Sequence, residues 1–151
     1  MDYGLAVPVE LDVWKDPQCF VITEHIRDEA WVWFQCWSSP GKPADYVGCL
    51  HFEGVWHIES TRHLQERSYP NVMSNEFISC YLTVEKSSLV SRLKQQRSEH
   101  DKNWAAYDRR SYSHYIVENH DFLVHIIASD VRFSTVENHK VCYLINRWET
   151  V

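Results

Sequence analysis

Glycine is scarce in this chain, which has only four glycines among its 151 residues. Phosphate cradles are built from the backbone N–H groups of glycine-rich loops, and neither such a loop nor a Walker motif is present. The sequence also lacks a G-x-S-x-G elbow and an H-E-x-x-H pair, and no cysteine stands beside an obvious base. These absences disfavour the common nucleotide and hydrolytic chemistries, so the sequence favours a protein that is not an enzyme and needs no cofactor.

Long apolar runs are also missing, since no stretch approaches the 18 consecutive apolar residues that a membrane helix needs. The first residues do not form a basic segment followed by an apolar one, so we expect neither export nor membrane insertion. The five cysteines are widely spaced without a C-x-x-C pair, which predicts neither a disulfide framework nor a cysteine zinc site. Reduced thiols inside apolar runs are typical of a cytoplasmic protein.

Positive charge is in deficit, because the formal net charge is −6 with histidine taken as neutral. A chain of that sign repels phosphate and favours a basic partner instead. Arg92, Lys94 and Arg97 precede Arg109 and Arg110 in a segment that also holds aromatic residues, but neighbouring acidic residues dilute this patch. We therefore predict no nucleic-acid binding.

Large aromatic side chains are abundant, with seven tryptophans and an aromatic fraction of 14%. Short runs rich in Val, Ile, Phe, Tyr and Trp predict strands. The runs cover residues 19–23, 30–37, 46–59, 77–84, 112–119, 122–128, 131–136 and 141–148.

One helix is predicted, with Ser87 or Ser88 as its N-cap and Leu89, Leu93 and Trp104 among its periodic apolar positions. The sequence thus predicts a single α+β domain over residues 1–151. Its antiparallel sheet, strongly twisted or partly closed, would have about six to eight strands and one main covering helix. The last strand, if it lies at an edge, could pair across a two-fold axis to form a homodimer.

Alternation along residues 30–37 puts Trp31, Trp33 and Trp37 on one face and Val32, Phe34 and Cys36 on the other. Because both faces are apolar, we expect this strand to be central in the sheet.

Four polar residues lie close together at the end of the long strand 46–59 and in the segment that leaves it: His57, Glu59, Arg62 and His63. A carboxylate beside imidazole and guanidinium could transfer protons or hold an anion. The alternative is an exposed, solvated strand end.

The metal hypothesis depends on His114 and His125. A hairpin closed at His120–Asp121 pairs residue 116 with residue 125 and makes the two histidines diagonal neighbours on one face, roughly 7–8 Å apart by Cα. Glu118 is diagonal to His125 on its other side but about 13 Å from His114, so the three side chains cannot enclose one ion. The simpler interpretation is a satisfied histidine packed between Leu123 and Ile127. We predict no metal.

Two functions remain after these exclusions. The first, which we prefer, is a non-enzymatic protein-binding module, such as an inhibitor or immunity-type partner of a basic protein. The second is a small-molecule-binding protein or enzyme whose pocket lies on the aromatic sheet face, with Trp31 and Trp33 as walls and His57, Glu59 and Arg62 as polar groups. A pocket joining those residues favours the second, whereas a filled sheet face with an exposed acidic and aromatic patch favours the first.

Overall fold

The computed structural model describes residues 4–17, 19–62, 80–118 and 122–149. These ranges contain ten strands and three α-helices. In chain order the elements are β1 Leu5–Glu10, β2 Trp14–Lys15, β3 Ile22–Ile26, β4 Glu29–Ser39, β5 Lys42–Glu53, β6 His57–Arg62, β7 Cys80–Glu85, α1 Ser88–His100, α2 Trp104–Tyr107, β8 Ser113–Glu118, β9 Phe122–Ala128, β10 Asp130–Glu137, a 3-10 turn Asn138–Lys140, and α3 Cys142–Glu149.

All described strand pairs are antiparallel, which agrees with the predicted α+β class, and they fall into two sheets. Sheet A has the order β1-β7-β8-β9-β6. Sheet B has the order β10-β5-β4-β2, and β3 also pairs with β4. The predicted sheet of six to eight strands was therefore too small, because the sequence pattern did not show that the strands divide between two sheets.

The two sheets pack face to face. Val32 and Phe34 of β4 share one buried cluster with Phe52 of β5 and with Val124 and Ile126 of β9. A Cβ atom at Gly48 would lie 2.3 Å from the Phe34 ring, so the glycine leaves the space that this ring fills. The predicted assignment of Val32, Phe34 and Cys36 to one face of a central strand is confirmed.

Gly54 marks the corner where the chain passes from sheet B to sheet A, at a φ of +62° that favours glycine. Residues 46–59 are therefore two strands in different sheets. Trp56 packs beside α1 on the outside of sheet A, whereas Ile58 faces the cluster between the sheets. Unbroken alternation along residues 46–59 would put these two side chains on one face, but the corner interrupts it.

Each sheet carries a helix on its outer face. The first part of the predicted helix is α1, whose N-cap residue Ser87 accepts the Val90 N–H and whose Leu89 is buried against sheet A. Trp104, predicted in the same helix, lies in the separate short helix α2. Residues 141–148, predicted as a strand, instead form most of α3, which packs Leu144 and Trp148 against the outer face of sheet B. One main covering helix was thus an underestimate, since the order of layers is α1, sheet A, sheet B and α3.

Candidate functional site

The two tryptophans of the predicted site lie on the outer face of sheet B. Trp33 is buried under α3 and its Nε1–H donates to Glu24 Oε1 at 2.7 Å, while Trp31 is half-buried beside it. The Tyr143 hydroxyl of α3 donates to the same Glu24 oxygen at 3.2 Å. The carboxylate of Glu24 therefore links β3, β4 and α3.

The predicted polar group lies on the opposite side of the sandwich. His57 and Glu59 pair with Ile127 and His125 and so share the outer face of sheet A. The His57 Nε2–H donates to Glu59 Oε2 at 3.3 Å, whereas the Arg62 guanidinium lies 5.2 Å from the centre of the Phe122 ring. His63 lies outside the described residues. The structure does not bring Trp31 and Trp33 together with His57 and Glu59.

The predicted β8–β9 register is confirmed, with Ile116 opposite His125 and His114 opposite Ile127. His114 Nε2 and His125 Nδ1 are 2.9 Å apart, a hydrogen-bond distance, and Ser87 Oγ lies 2.7 Å from His114 Nδ1. Within the described ranges, no group of three or more His, Cys, Asp or Glu side chains is arranged to hold a metal ion. The serine caps α1 and is 8% exposed, so the three side chains form a buried network under the helix rather than an open nucleophile.

The feature that the sequence reading missed is a row of three carboxylates at one end of sheet B. Glu29 on β4 lies opposite Glu53 on β5, and Glu53 lies opposite Asp130 on β10. Since cross-strand partners share a face, all three project from the outer face of the sheet. The neighbouring β3 residue, opposite Glu29, is Ile26, whose side chain is 63% exposed.

The next row along the same face contains an acidic residue, an aromatic residue, a histidine and an arginine. Glu24, Trp31, His51 and Arg132 follow one another across β3, β4, β5 and β10. The Trp31 and His51 rings stack with centroids 4.9 Å apart and planes 5° from parallel. We call these two rows the acidic–aromatic face; its residues are Glu24, Ile26, Glu29, Trp31, His51, Glu53, Asp130 and Arg132.

Two neighbouring side chains contact these carboxylates. The His51 Nε2–H donates to Glu29 Oε1 at 3.1 Å, and its Nδ1 is 3.9 Å from Glu53 Oε1. Arg132 pairs with Glu53. The side chains of Glu29 and Glu53 remain 47% and 35% exposed, so the carboxylates can still contact a cation from outside.

The position of α3 explains why this face is open. The helix covers the rows of sheet B that hold Val47, Cys49 and Trp33, and the acidic–aromatic face occupies the rows beyond them. A groove with a volume of about 420 Å³ runs between β3 and α3, lined by Phe20, Ile22, Glu24, Tyr143 and Arg147 among others. Glu24 belongs to both surfaces, so the groove and the face are continuous.

Comparison of the chain with protein-family models, curated proteins and solved structures finds no match. None of the helices in the described ranges is long and apolar enough to cross a membrane.

Proposed function

We propose that this protein is a non-enzymatic binding module that recognises a basic protein through its acidic–aromatic face. The observation that supports the proposal is the row of Glu29, Glu53 and Asp130, which lie directly opposite one another on adjacent strands. Like charges in that arrangement destabilise a sheet. A cationic partner would remove this cost on binding.

The same face offers the contacts that a basic partner needs. The indole of Trp31 can support a guanidinium group by cation–π attraction, and arginine suits both aromatic and carboxylate contacts. Ile26 supplies an exposed apolar contact next to the carboxylates. Negative charge around an aromatic and apolar centre favours fast, salt-sensitive association with a positively charged surface.

A small molecule is the second candidate ligand, favoured by the groove between β3 and α3. Its volume of about 420 Å³ lies within the roughly 300–1,000 Å³ common for ligand sites. The lining includes Phe20 and Ile22 with Glu24 and Tyr143, but none of His57, Glu59 and Arg62. This site therefore differs from the pocket that the sequence predicted.

Selection of a displayed random-peptide library on the immobilised protein tests the proposal. We expect enriched peptides to be rich in arginine and lysine with at least one apolar residue. Glu29→Lys and Trp31→Ala should each lose most of the binding, because the first reverses a charge in the row and the second removes the aromatic surface.

Glu99→Lys is the matched control, since Glu99 is exposed on α1 on the other side of the sandwich and the change in net charge is the same. Binding by this variant should stay close to that of the unmodified protein. Enrichment of neutral or acidic peptides, or equal loss in Glu29→Lys and Glu99→Lys, would contradict the proposal.

A further inference from the structure

A chain of buried polar side chains lies beneath α1 and is separate from the proposed interface. Ser87, His114 and His125 are the buried polar or charged residues found in the described ranges, with exposed fractions of 8%, 1% and 0%. They form consecutive hydrogen bonds of 2.7 and 2.9 Å. Burying two imidazoles is costly unless each ring is neutral and its polar atoms are paired.

When both imidazole rings are neutral, each of the two hydrogen bonds that join Ser87, His114 and His125 has one donor and one acceptor. Ser87 Oγ accepts the Val90 N–H at 3.2 Å and donates its own hydrogen to His114 Nδ1. The His114 Nε2–H then donates to His125 Nδ1. A proton added at His125 Nδ1 would place its N–H against the N–H of His114 and break the bond between the two rings. A proton added at His114 Nδ1 would instead reverse the bond to Ser87, whose hydroxyl oxygen can accept it.

The described elements around the rings supply few groups that could stabilise a positive charge. From α1 and β7 the neighbours are apolar, including Leu89, Leu82 and Val84. From β6 the titratable neighbours are Glu59, directly opposite His125, and His57. The carboxylate of Glu59 favours a charged imidazole, whereas the charge on a protonated His57 disfavours it.

We propose that Ser87, His114 and His125 form an acid-sensitive latch: proton uptake by the histidine pair releases α1 from sheet A and exposes the apolar outer face of that sheet. The side chains uncovered would include Leu82, Val84, Ile116 and Ile127. This device does not depend on the proposed binding function, because it lies on the opposite side of the sandwich.

The direction of the pH effect follows from the two states of the rings. Burial is the main cause that lowers the pKa of His114 from 6.5 to about 3, and burial also lowers the pKa of His125. A released, solvated ring titrates near 6.5, so the closed state is fully stabilised above that pH and loses stability as the pH falls below it. Each histidine shifts the equilibrium up to about tenfold per pH unit, and the pair up to about a hundredfold.

Hydrogen exchange of the α1 amides between pH 7 and pH 5, corrected for the intrinsic pH dependence of exchange, tests the latch. We expect protection of α1 to fall up to about a hundredfold per pH unit below 6.5, while the amides of β4 and β5 in sheet B keep theirs. His125→Asn replaces the acceptor nitrogen by an amide oxygen that cannot be charged. This variant should reduce the dependence to about tenfold per unit or less.

His139→Asn is the control, because His139 is a solvated histidine with a 72% exposed side chain and should leave the profile unchanged. Equal protection of α1 at pH 5 and pH 7, or an unchanged profile in a folded His125→Asn variant, would overturn the proposal. A proton NMR titration of the unmodified protein gives an independent test. Charging of His114 and His125 near pH 6.5 with α1 still protected would also refute it.

Discussion

At the scale of single residues, Trp33 shows how one side chain links several layers. Its ring is 8% exposed and packs with Val47, Leu144 and Trp148, while its Nε1–H is bonded to Glu24. Trp31, two residues earlier on the same face, is only half-buried. The same residue type is therefore fully packed at one position and partly exposed at the other.

Truncation of Trp33 to Ala should lower the free energy of unfolding by roughly 3–5 kcal/mol, because it leaves a large cavity under α3. Trp31→Ala is the comparison and should lose less stability, since part of that ring already faces solvent. Urea denaturation followed by circular dichroism measures both. A loss below about 1 kcal/mol for Trp33→Ala would place the ring at the surface rather than in the core.

The placement of Trp31 and Trp33 on one face was predictable, because alternation in a strand needs only the local sequence. Their separation from His57 and Glu59 was not predictable. Gly54 turns the chain into the other sheet, and a corner of that kind depends on tertiary packing that the two-residue period does not record. His57 and Glu59 therefore lie on the outer face of sheet A, on the opposite side of the sandwich from Trp31 and Trp33.

At the scale of elements, the register of β4 and β5 decides which residues share a row. The hairpin pairs Ser39 with Lys42, but irregularities on either side of Trp37 shift the register. Continuing the Ser39–Lys42 pairing without those shifts would put Trp31 opposite Leu50 instead of His51. The acidic–aromatic face was therefore hidden from sequence reasoning, because bulges cannot be placed from alternation alone.

Helix α3 was missed for a different reason. Residues 141–148 include Val141, Tyr143 and Ile145, which are β-branched or aromatic and so favour a strand. The buried residues of this segment are Val141, Leu144 and Trp148, and their spacing of three and four residues is helical. The helical spacing of these three buried residues is present in the sequence. The high strand propensity of Val141, Tyr143 and Ile145 masks it.

The N-cap of α1 gives a prediction at this scale. Ser87→Ala removes the cap and leaves the buried His114 Nδ1 without its donor, so we expect a loss of about 2–4 kcal/mol from the two effects together. Ser88→Ala is the matched control, because Ser88 is exposed and is not the residue that caps the helix. Chemical denaturation of the two variants side by side measures the difference. Equal losses would show that Ser87 contributes nothing specific.

At the scale of the whole molecule, the chain has an excess of negative charge, part of which lies in one row on sheet B. The net charge is −6, and three of its carboxylates are in register on adjacent strands. A sequence selected for stability alone would alternate the signs of these charges. Keeping the row is consistent with a binding role that offsets its cost.

Neutralising one member of the row should therefore separate stability from binding. Glu29→Gln should raise the free energy of unfolding by about 0.2–1 kcal/mol, because it relieves repulsion from Glu53 while its amide oxygen can still accept the His51 N–H. Affinity for a basic peptide should fall in the same variant. Glu99→Gln serves as the control and should change neither quantity. Thermal and urea denaturation, together with a peptide titration, provide the readouts.

An NMR titration of the ¹⁵N-labelled protein with a short peptide of alternating arginine and leucine tests whether the acidic–aromatic face binds cations. We expect shifts of the Trp31 indole N–H and of the backbone amides of Glu24, Glu29, Glu53 and Asp130. These shifts should disappear at about 0.5 M salt, where screening is strong, and should be absent with the matching glutamate and leucine peptide. Shifts confined to sheet A and α1, or no shifts at millimolar peptide, would contradict the account.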